Sequence, residues 1–183
     1  QDFRIKSDIS IVCFNEKQWI GNGFVMPSGP LRENLTALKR SNYVFINGEK
    51  NSKIEEIIYK FNSRVKIFYT KYNLINSENL KNKKVLAFAG IGNPENFFEL
   101  LKNENVKIAE KLSFPDHYNF TKKDIINLND RAKNTEAILV TTEKDYNRLN
   151  DEDKKNIYCV KIELKINDKN EFINDLKKLY ENN

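Results

Sequence analysis

The only histidine of the chain, His117, lies in a segment whose residue types suit acid–base chemistry. The segment, Phe114-Pro115-Asp116-His117-Tyr118, follows a predicted strand and precedes a predicted helix. Imidazole titrates near neutral pH and is a natural proton donor or acceptor. In an open α/β sheet, ligands bind beyond the carboxyl ends of the strands. A lone histidine is also commonly a surface or structural residue, so both interpretations of His117 stay open.

A second candidate is a stretch rich in glycine and proline, in which Gly21-Asn-Gly23 is followed by Pro-Ser-Gly-Pro-Leu-Arg-Glu at residues 27–33. Glycine and proline at this density fix an unusual backbone path. The path delivers Arg32 and Glu33 into the first turn of a predicted helix. Arginine can bind phosphate through two parallel hydrogen bonds, whereas a glutamate there can simply favour the helix dipole. Structural and functional roles are equally compatible with this pattern.

A third segment, Gly90-Ile-Gly92-Asn-Pro-Glu95, joins a predicted strand to a predicted helix and resembles half of a dinucleotide-binding fingerprint. Glu95 stands at the third glycine position. A carboxylate at the helix N-terminus would repel a pyrophosphate. The segment is therefore better explained as a tight turn.

A fourth segment, Thr141-Thr142-Glu143-Lys144-Asp145, again leads from a predicted strand into a predicted helix. Thr142 and Asp145 have the spacing of a helix-capping pair, which explains both residues structurally. Lys144 is left able to face an anion. The structural interpretation is favoured for this segment.

These segments lie in a chain where hydrophobic runs and helical patterns alternate, the order expected of α/β units. The first predicted strand is expected to be buried on both faces, and the polar stretch 73–84 separates two units, residues 1–72 and 73–183. Capping boxes are predicted at Ser52 and Thr121. The predicted strands are residues 9–14, 43–46, 65–72, 85–89, 106–112, 137–140 and 157–162; the predicted helices are residues 31–38, 52–61, 94–103, 122–134, 142–149 and 171–180.

Charge narrows the class of partner. The net charge is +5 and the excess of lysine and arginine lies in residues 1–80, which suits a phosphate-bearing or anionic-membrane partner. Solvated surface lysines explain the charge equally well. No arginine-rich run or RNA-binding motif occurs, so nucleic acid is not expected.

Any transmembrane helix, signal peptide or catalytic motif is expected to show in the sequence as a local pattern. No window reaches 18 apolar residues, so no transmembrane helix is expected in this chain, and no signal peptide is recognised. The sequence begins with Gln1 rather than methionine, which predicts a processed or truncated start. The sequence contains no GxxxxGK[ST], no HExxH, no serine nucleophile elbow and no metal-binding cluster. The residues alone therefore indicate a cytosolic, two-lobed α/β protein.

The motifs taken together are far more specific than any one of them. In order and spacing, the Gly21-Asn-Gly23 and 27–33 segments, Asn47-Gly48, residues 89–98, Phe-Pro-Asp-His at 114–117 and Thr-Thr-Glu-Lys-Asp at 141–145 closely resemble the tetraacyldisaccharide 4′-kinase family. The resemblance covers essentially the whole chain. Tyr118 departs from it, since many members have a second histidine there.

The resemblance implies a fold and a reaction. The family has a P-loop kinase lobe and a smaller α/β/α lobe, joined by a β-strand linker. It transfers the γ-phosphate of ATP, with Mg²⁺, to the 4′-hydroxyl of a disaccharide lipid in lipid A biosynthesis, at the cytoplasmic face of the bacterial inner membrane. By this resemblance, residues 1–72 are the remainder of the kinase lobe with its linker strand, and residues 73–183 are the smaller lobe. The P-loop and catalytic carboxylates are expected upstream of this chain, which alone is expected to be inactive.

The resemblance also implies roles for particular residues. His117 matches the histidine that reaches across the cleft to support the catalytic aspartate, whose counterpart is not in this sequence. Arg32, Glu33 and Asp116 match cleft positions and are candidates for substrate or metal contacts. Gln1 is all that remains of the Asp-Asp-Gly-x-Gln segment and joins these candidates. No residue of this chain is expected to bind ATP through a P-loop.

Two other functions compete with that of a kinase fragment. One is a complete, non-catalytic α/β module that binds a phosphorylated ligand, favoured by the missing P-loop. The intact cleft motifs and the missing initial methionine favour the fragment. The other, an α/β hydrolase using His117, lacks a plausible nucleophile motif.

Overall fold

The computed structural model describes residues 7–181, with residues 179 and 180 described by their backbone alone. The strands of the described part are β1 Ile11–Asn15, β2 Tyr43–Asn47, β3 Lys66–Leu74, β4 Lys84–Ala89, β5 Lys107–Ser113, β6 Ile138–Thr142, β7 Ile157–Val160 and β8 Ile162–Ile166. The α-helices are α1 Ser52–Phe61, α2 Pro94–Asn103, α3 Lys122–Asn134, α4 Glu143–Tyr146, α5 Asp151–Lys154 and α6 Lys169–Glu181, and Leu35–Arg40 and Ser77–Leu80 are short 3-10 helices. Within residues 7–181, no helix is long and apolar enough to cross a membrane.

The chain forms two compact units. One contains the residues up to Lys71 together with those from Leu164 onward, and the other is Tyr72–Glu163. The division between Lys71 and Tyr72 lies next to the polar stretch 73–84. The last stretch differs from the expected 73–183 unit, because Leu164 onward belongs to the first unit.

The first unit is built on a sheet of order β1-β2-β3-β8, in which β1–β2 and β2–β3 are parallel. Ile54 and Ile58 of α1 pack with alternate residues of β2, Val44 and Ile46, on one face. The other face carries a separate aromatic cluster that Phe172 of α6 joins. Hydrophobic residues therefore occupy both faces of the central strand, as expected for a parallel sheet between layers.

Strand β1 differs from the prediction of a strand buried on both faces. All five of its residues are exposed or half-buried, and Ile11 is 42% exposed. In the described sheet β1 pairs with β2 alone and stands at the edge. Fewer neighbours cover an edge strand, so an apolar run does not guarantee complete burial there.

The second unit is built on a sheet of order β5-β4-β6-β7 with every pair parallel. The chain passes from β4 to β5 on one side and then returns to place β6 on the other side of β4. This reversal makes the carboxyl ends of β4 and β6 a topological switch point, where α/β sheets commonly bind ligands.

Strand β4 shows why this sheet has two covered faces. Its side chains alternate between them: Val85, Ala87 and Ala89 join one core with α2, and Leu86 and Phe88 join the other core with α3. All five are fully buried. Helices thus cover both faces of β4, and the unit is a three-layer α/β/α arrangement.

One predicted helix start and one predicted helix cap are wrong. The helix predicted over residues 31–38 is a 3-10 helix at Leu35–Arg40, because the preceding chain bridges Val25 to Leu31 instead of entering a helix. The cap of α1 is Asn51, whose side chain accepts a hydrogen bond from the Ile54 N–H. Ser52, the predicted cap, is already inside the helix.

The strand predicted over residues 157–162 is two strands in two different sheets. β7 ends at Val160 and pairs with β6, whereas β8 begins at Ile162 and lies next to β3. Lys161 separates them. A continuous apolar pattern cannot show a change of pairing partner, because the partners are distant in sequence. The capping box at Thr121 is confirmed, with Thr121 and Asp124 each accepting from the other's backbone N–H.

Candidate functional site

Three loops of the second unit meet at the carboxyl ends of its strands. Gly90 follows β4, the Pro115–Tyr118 turn follows β5, and α4 begins directly after β6. The His117 N–H donates to the Gly90 carbonyl at 3.2 Å, which joins the first two loops. Five side chains gather here: Asp116, His117, Lys144, Asp145 and Arg148. We call them the strand-end cluster.

Asp145 anchors the cluster. Its side chain is completely buried, and its Oδ2 accepts hydrogen bonds from the Gly90 N–H at 2.9 Å and the Thr142 hydroxyl at 2.8 Å. Its Oδ1 lies 3.4 Å from Nη1 of Arg148. A buried carboxylate is tolerated only when it is paired and hydrogen-bonded, and Asp145 meets both conditions. The carboxylate therefore ties the β4 loop to α4.

Gly90 lets these loops approach closely. A Cβ atom at this position would lie 3.2 Å from the Pro115 carbonyl oxygen, 3.2 Å from Cβ of Tyr118 and 3.4 Å from Oδ1 of Asp145. The first two distances are tighter than ordinary van der Waals contact. The glycine predicted to form a tight turn is thus also a packing requirement of the cluster.

Arg148 connects the buried anchor to the histidine. Its Nη1 is 3.4 Å from both the Gly90 carbonyl oxygen and Asp145 Oδ1, and its Nη2 is 2.9 Å from Nδ1 of His117. The Arg148 side chain is 21% exposed, whereas the His117 side chain is 71% exposed. The imidazole therefore faces solvent while its Nδ1 contacts the less exposed Arg148.

The backbone of His117 adopts a left-handed conformation, with φ of 61°. Such a conformation is costly for a residue with a side chain and persists when its surroundings enforce it. Here the Phe114 N–H donates to the Ala89 carbonyl at 2.9 Å and the Tyr118 N–H to the Pro115 carbonyl at 3.1 Å. These bonds fix the turn that presents the imidazole.

An aromatic cluster supports the turn. Phe88, Phe114, Tyr118 and Phe120 have ring centroids 5.0–6.4 Å apart in tilted or edge-to-face contacts, geometries that aromatic pairs prefer. The Tyr118 hydroxyl also donates to Asp124 of the α3 cap at 3.2 Å. The rings thus anchor the turn to the core of the second unit.

Lys144 and Asp116 form the exposed rim of the cluster. Lys144 Nζ is 3.2 Å from Asp116 Oδ1 and 3.5 Å from Nε2 of His117. The hydrogen bond from Lys144 holds the pKa of Asp116 below its usual range. Asp116 is therefore ionised at neutral pH and offers a carboxylate beside the imidazole.

The predicted site residues fall into separate groups. His117 and Asp116 lie together as their sequence motif suggests, and the structure adds Lys144, Asp145 and Arg148 to them. Sequence reasoning misses Arg148 because no local pattern marks it, and it explains Asp145 by its capping bond alone.

Arg32 and Glu33 belong to the first unit. Glu33 forms an ion pair with Arg40 there, and Arg32 is exposed. Both precede the 3-10 helix instead of lying in its first turn. Gln1 is outside the described residues. Their roles as substrate or metal contacts stay predictions.

The fit of Mg²⁺ and ATP can be tested on the residues present. Among residues 7–181, no group of three or more His, Cys, Asp or Glu side chains is placed to hold a metal ion. The sequence contains no GxxxxGK[ST] loop to hold the phosphates. The described residues therefore include neither a metal-ligand cluster of this kind nor a P-loop.

A parallel α/β unit with a polar cluster at a topological switch point belongs to the class of α/β proteins that bind ligands at their strand ends. Within this class, the chain is a member of the tetraacyldisaccharide-1-P 4′-kinase (LpxK) family, whose family model matches residues 1–181. The resemblance inferred from the sequence motifs is thus confirmed, as is an α/β fold with parallel sheets.

Individual relatives agree. The tetraacyldisaccharide 4′-kinase of Pelagibacter ubique is 45% identical over 186 residues, which cover 100% of this chain and 59% of the relative. That of Rickettsia akari is 39% identical over 162 residues, covering 87% of this chain and 48% of the relative. The crystal structure of LpxK from Aquifex aeolicus in complex with ATP matches with a TM-score of 0.62 and 26% identity, over 97% of this chain and 53% of the other. This chain thus spans 48–59% of the length of these relatives.

Proposed function

We propose that this chain is part of a tetraacyldisaccharide 4′-kinase, which transfers the γ-phosphate of ATP to the 4′-hydroxyl of tetraacyldisaccharide 1-phosphate in lipid A biosynthesis. Membership of the family and the names of the relatives support this activity. The Aquifex aeolicus protein was crystallised in complex with ATP, which supports ATP as the phosphate donor. When bound, Mg²⁺ would neutralise charge on the transferring phosphoryl group.

The observation that carries the proposal in this chain is the presentation of His117. An exposed imidazole on a strained turn, held at one nitrogen by a partly buried arginine, is an arrangement suited to proton handling. In this proposal His117 is the catalytic residue of the chain and supports the base that receives the hydroxyl proton. Asp116, Arg32, Glu33 and Gln1 are proposed to contact the substrate or the metal ion.

The same proposal places the protein at a membrane. The substrate is a lipid, so the protein works peripherally at the cytoplasmic face of the bacterial inner membrane. The net charge of +5, with its excess in residues 1–80, suits an anionic surface and an anionic sugar phosphate. Residues 1–72 are proposed to be part of the kinase lobe and the α/β/α unit to be the smaller lobe.

His117→Ala tests the catalytic role in the protein encoded by the complete reading frame. Loss of a group that handles the proton or orients the base should lower kcat on the order of 10²-fold or more, while the urea unfolding midpoint stays close to that of the parent. Phosphate transfer from labelled ATP and urea unfolding are measured together. Arg131→Ala is the control, because it also removes a polar side chain, one that pairs with Glu110 on the surface, and it should leave turnover unchanged.

The alternative, a non-catalytic module that binds a phosphorylated ligand, draws support from the two cations of the cluster, Lys144 and Arg148. It predicts ligand binding without phosphate transfer by the complete protein. Near-normal turnover of His117→Ala, or activity lost only through unfolding, would exclude the catalytic role of the histidine.

A further inference from the structure

We propose that Arg148, anchored on Asp145, is a positioning residue that fixes the tautomer and ring orientation of His117. The proposal rests on the proposed function for its catalytic meaning. The tautomer of the His117 imidazole can be measured without any enzymatic assay.

The tautomer follows from the chemistry of the two partners. A guanidinium group has five N–H donors and no acceptor, so Nη2 of Arg148 can only donate to Nδ1 of His117 across their 2.9 Å contact. An imidazole nitrogen that accepts a hydrogen bond carries no proton. The neutral ring therefore holds its proton on Nε2.

Contacts other than the one with His117 hold the Arg148 guanidinium in place. Its Nη1 lies within 3.4 Å of the buried Asp145 carboxylate and of the Gly90 carbonyl oxygen. Asp145 in turn accepts from the Gly90 N–H and the Thr142 hydroxyl. The planar guanidinium is thus held in one orientation, and its other nitrogen points at the imidazole.

Nothing else described around the ring would select this tautomer. Lys144 is also only a donor, and a hydrogen bond from it to Nε2 would favour the opposite tautomer, but its 3.5 Å contact is longer than the 2.9 Å contact of Arg148. Asp116 Oδ2 is 3.8 Å from Nε2, beyond hydrogen-bond length. The shorter contact, from Arg148, therefore determines which ring nitrogen is left without a proton.

The tautomer decides whether the exposed Nε2 of His117 donates or accepts a hydrogen bond. A proton on Nε2 makes the exposed nitrogen of His117 a hydrogen-bond donor toward an incoming acceptor. A carboxylate base is such an acceptor, and a donor held in place would keep it oriented toward the substrate hydroxyl. In the opposite tautomer Nε2 would accept instead and could not hold a carboxylate.

His117 is the only histidine in the 183-residue chain, so its imidazole nitrogens can be observed without overlap. Two-bond ¹H–¹⁵N correlation spectra of the ¹⁵N-labelled chain in alkaline buffer should show the Nε2–H tautomer alone. Arg148→Met should give signals averaged between the two tautomers. Lys144→Met, which removes the other nearby cation from the opposite nitrogen, is the matched control and should keep the parent spectrum.

Arg148→Met leaves Asp145 as an unpaired buried charge, which is destabilising. The double variant Asp145→Asn/Arg148→Met removes the charge together with its partner. If the single variant does not fold, the spectrum of the double variant tests the tautomer instead. A parent chain in the Nδ1–H tautomer, or a folded arginine variant with an unchanged spectrum, would overturn the proposal.

Kinetics of the complete protein separate the proposed kinase function from the proposed effect of Arg148 on the His117 tautomer. Arg148→Met should lower kcat on the order of tenfold or more, but less than His117→Ala, with little change in the KM for ATP. A complete parent protein without kinase activity would refute the proposed function and leave the tautomer result standing. A changed tautomer with unchanged kcat would show that the arginine positions the ring without consequence for transfer, contrary to the proposal.

Discussion

Asp145 shows how much one side chain can organise at a strand end. Its carboxylate is the shared partner of a backbone N–H after β4, a hydroxyl at the end of β6 and a guanidinium past α4. Removing any one of these donors would leave a buried acceptor poorly satisfied, which costs stability. The geometry around His117 therefore depends on a residue that solvent does not reach.

At the residue scale, Gly90→Ala should destabilise the chain by about 1–3 kcal/mol, as overpacking commonly does. The added Cβ would press on the Pro115 carbonyl oxygen and on Tyr118, at 3.2 Å from each. Urea unfolding measures the effect.

Gly92→Ala is the matched control two residues away. A Cβ there would meet only Asp116, at 3.5 Å or more, an ordinary contact. The change should therefore stay within about 0.5 kcal/mol. Equal effects at the two glycines would contradict the crowding at Gly90.

The candidate site could be predicted from sequence only where its signals are local. The Thr142–Asp145 capping bond is predicted from a spacing of three residues and is confirmed. The bond from Gly90 to Asp145 spans 55 positions, and the bond from Arg148 to His117 spans 31. A single sequence contains no signal for such pairs, because they exist only after β4, β5 and β6 have aligned.

Helix starts illustrate the same limit at the scale of elements. Thr121 and Asp124 satisfy each other within one turn, so their pattern is sufficient. At α1, Asn51 and Ser52 are both good caps by type, and the choice depends on where the backbone leaves the extended conformation. Asn51 is extended, with φ of −137° and ψ of 102°, and its amide also donates to Glu16 at 3.1 Å.

Asn51→Ala should therefore cost about 1 kcal/mol or more, within the 0.5–2 kcal/mol range of lost caps. Its backbone N–H is also hydrogen-bonded to the Tyr69 hydroxyl, and that bond survives the substitution. Ser52→Ala is the control and should be nearly neutral, because alanine is the better helix former inside the helix. Chemical denaturation of both variants checks the order, and a larger loss for Ser52→Ala would favour Ser52 as the cap after all.

At the scale of the whole molecule, residues from both ends of the chain share one core. Phe172 of α6 packs on Tyr43, Phe45 and Phe68, with ring centroids 5.1–5.4 Å apart. The first unit is therefore discontinuous in sequence. A polar stretch in the sequence can indicate where one unit ends, but it cannot show that residues from Leu164 onward return to the first unit.

Phe172→Ala should destabilise the first unit by about 2 kcal/mol, below the 3–5 kcal/mol typical of fully buried phenylalanine. Hydrogen exchange should show amides of β2 losing protection while those of β4 keep theirs, since local stability follows local packing. Ile126→Ala, at a side chain that is 62% exposed on α3, is the control and should leave both strands protected. Equal loss of protection in β2 and β4 would contradict the division into units.

The step from β7 to β8 across Lys161 also sets an order of events during synthesis. All residues of the unit Tyr72–Glu163 have been made before β8 is complete, whereas the first unit lacks its fourth strand and α6 until the chain beyond Leu164 emerges. Domains generally fold as units as the ribosome releases them, usually the N-terminal one first. In this chain we expect the reverse order, because the unit that presents His117 is the first to be fully synthesised. The sheet that contains β1 must wait, with one edge of β3 unpaired, until β8 has been translated.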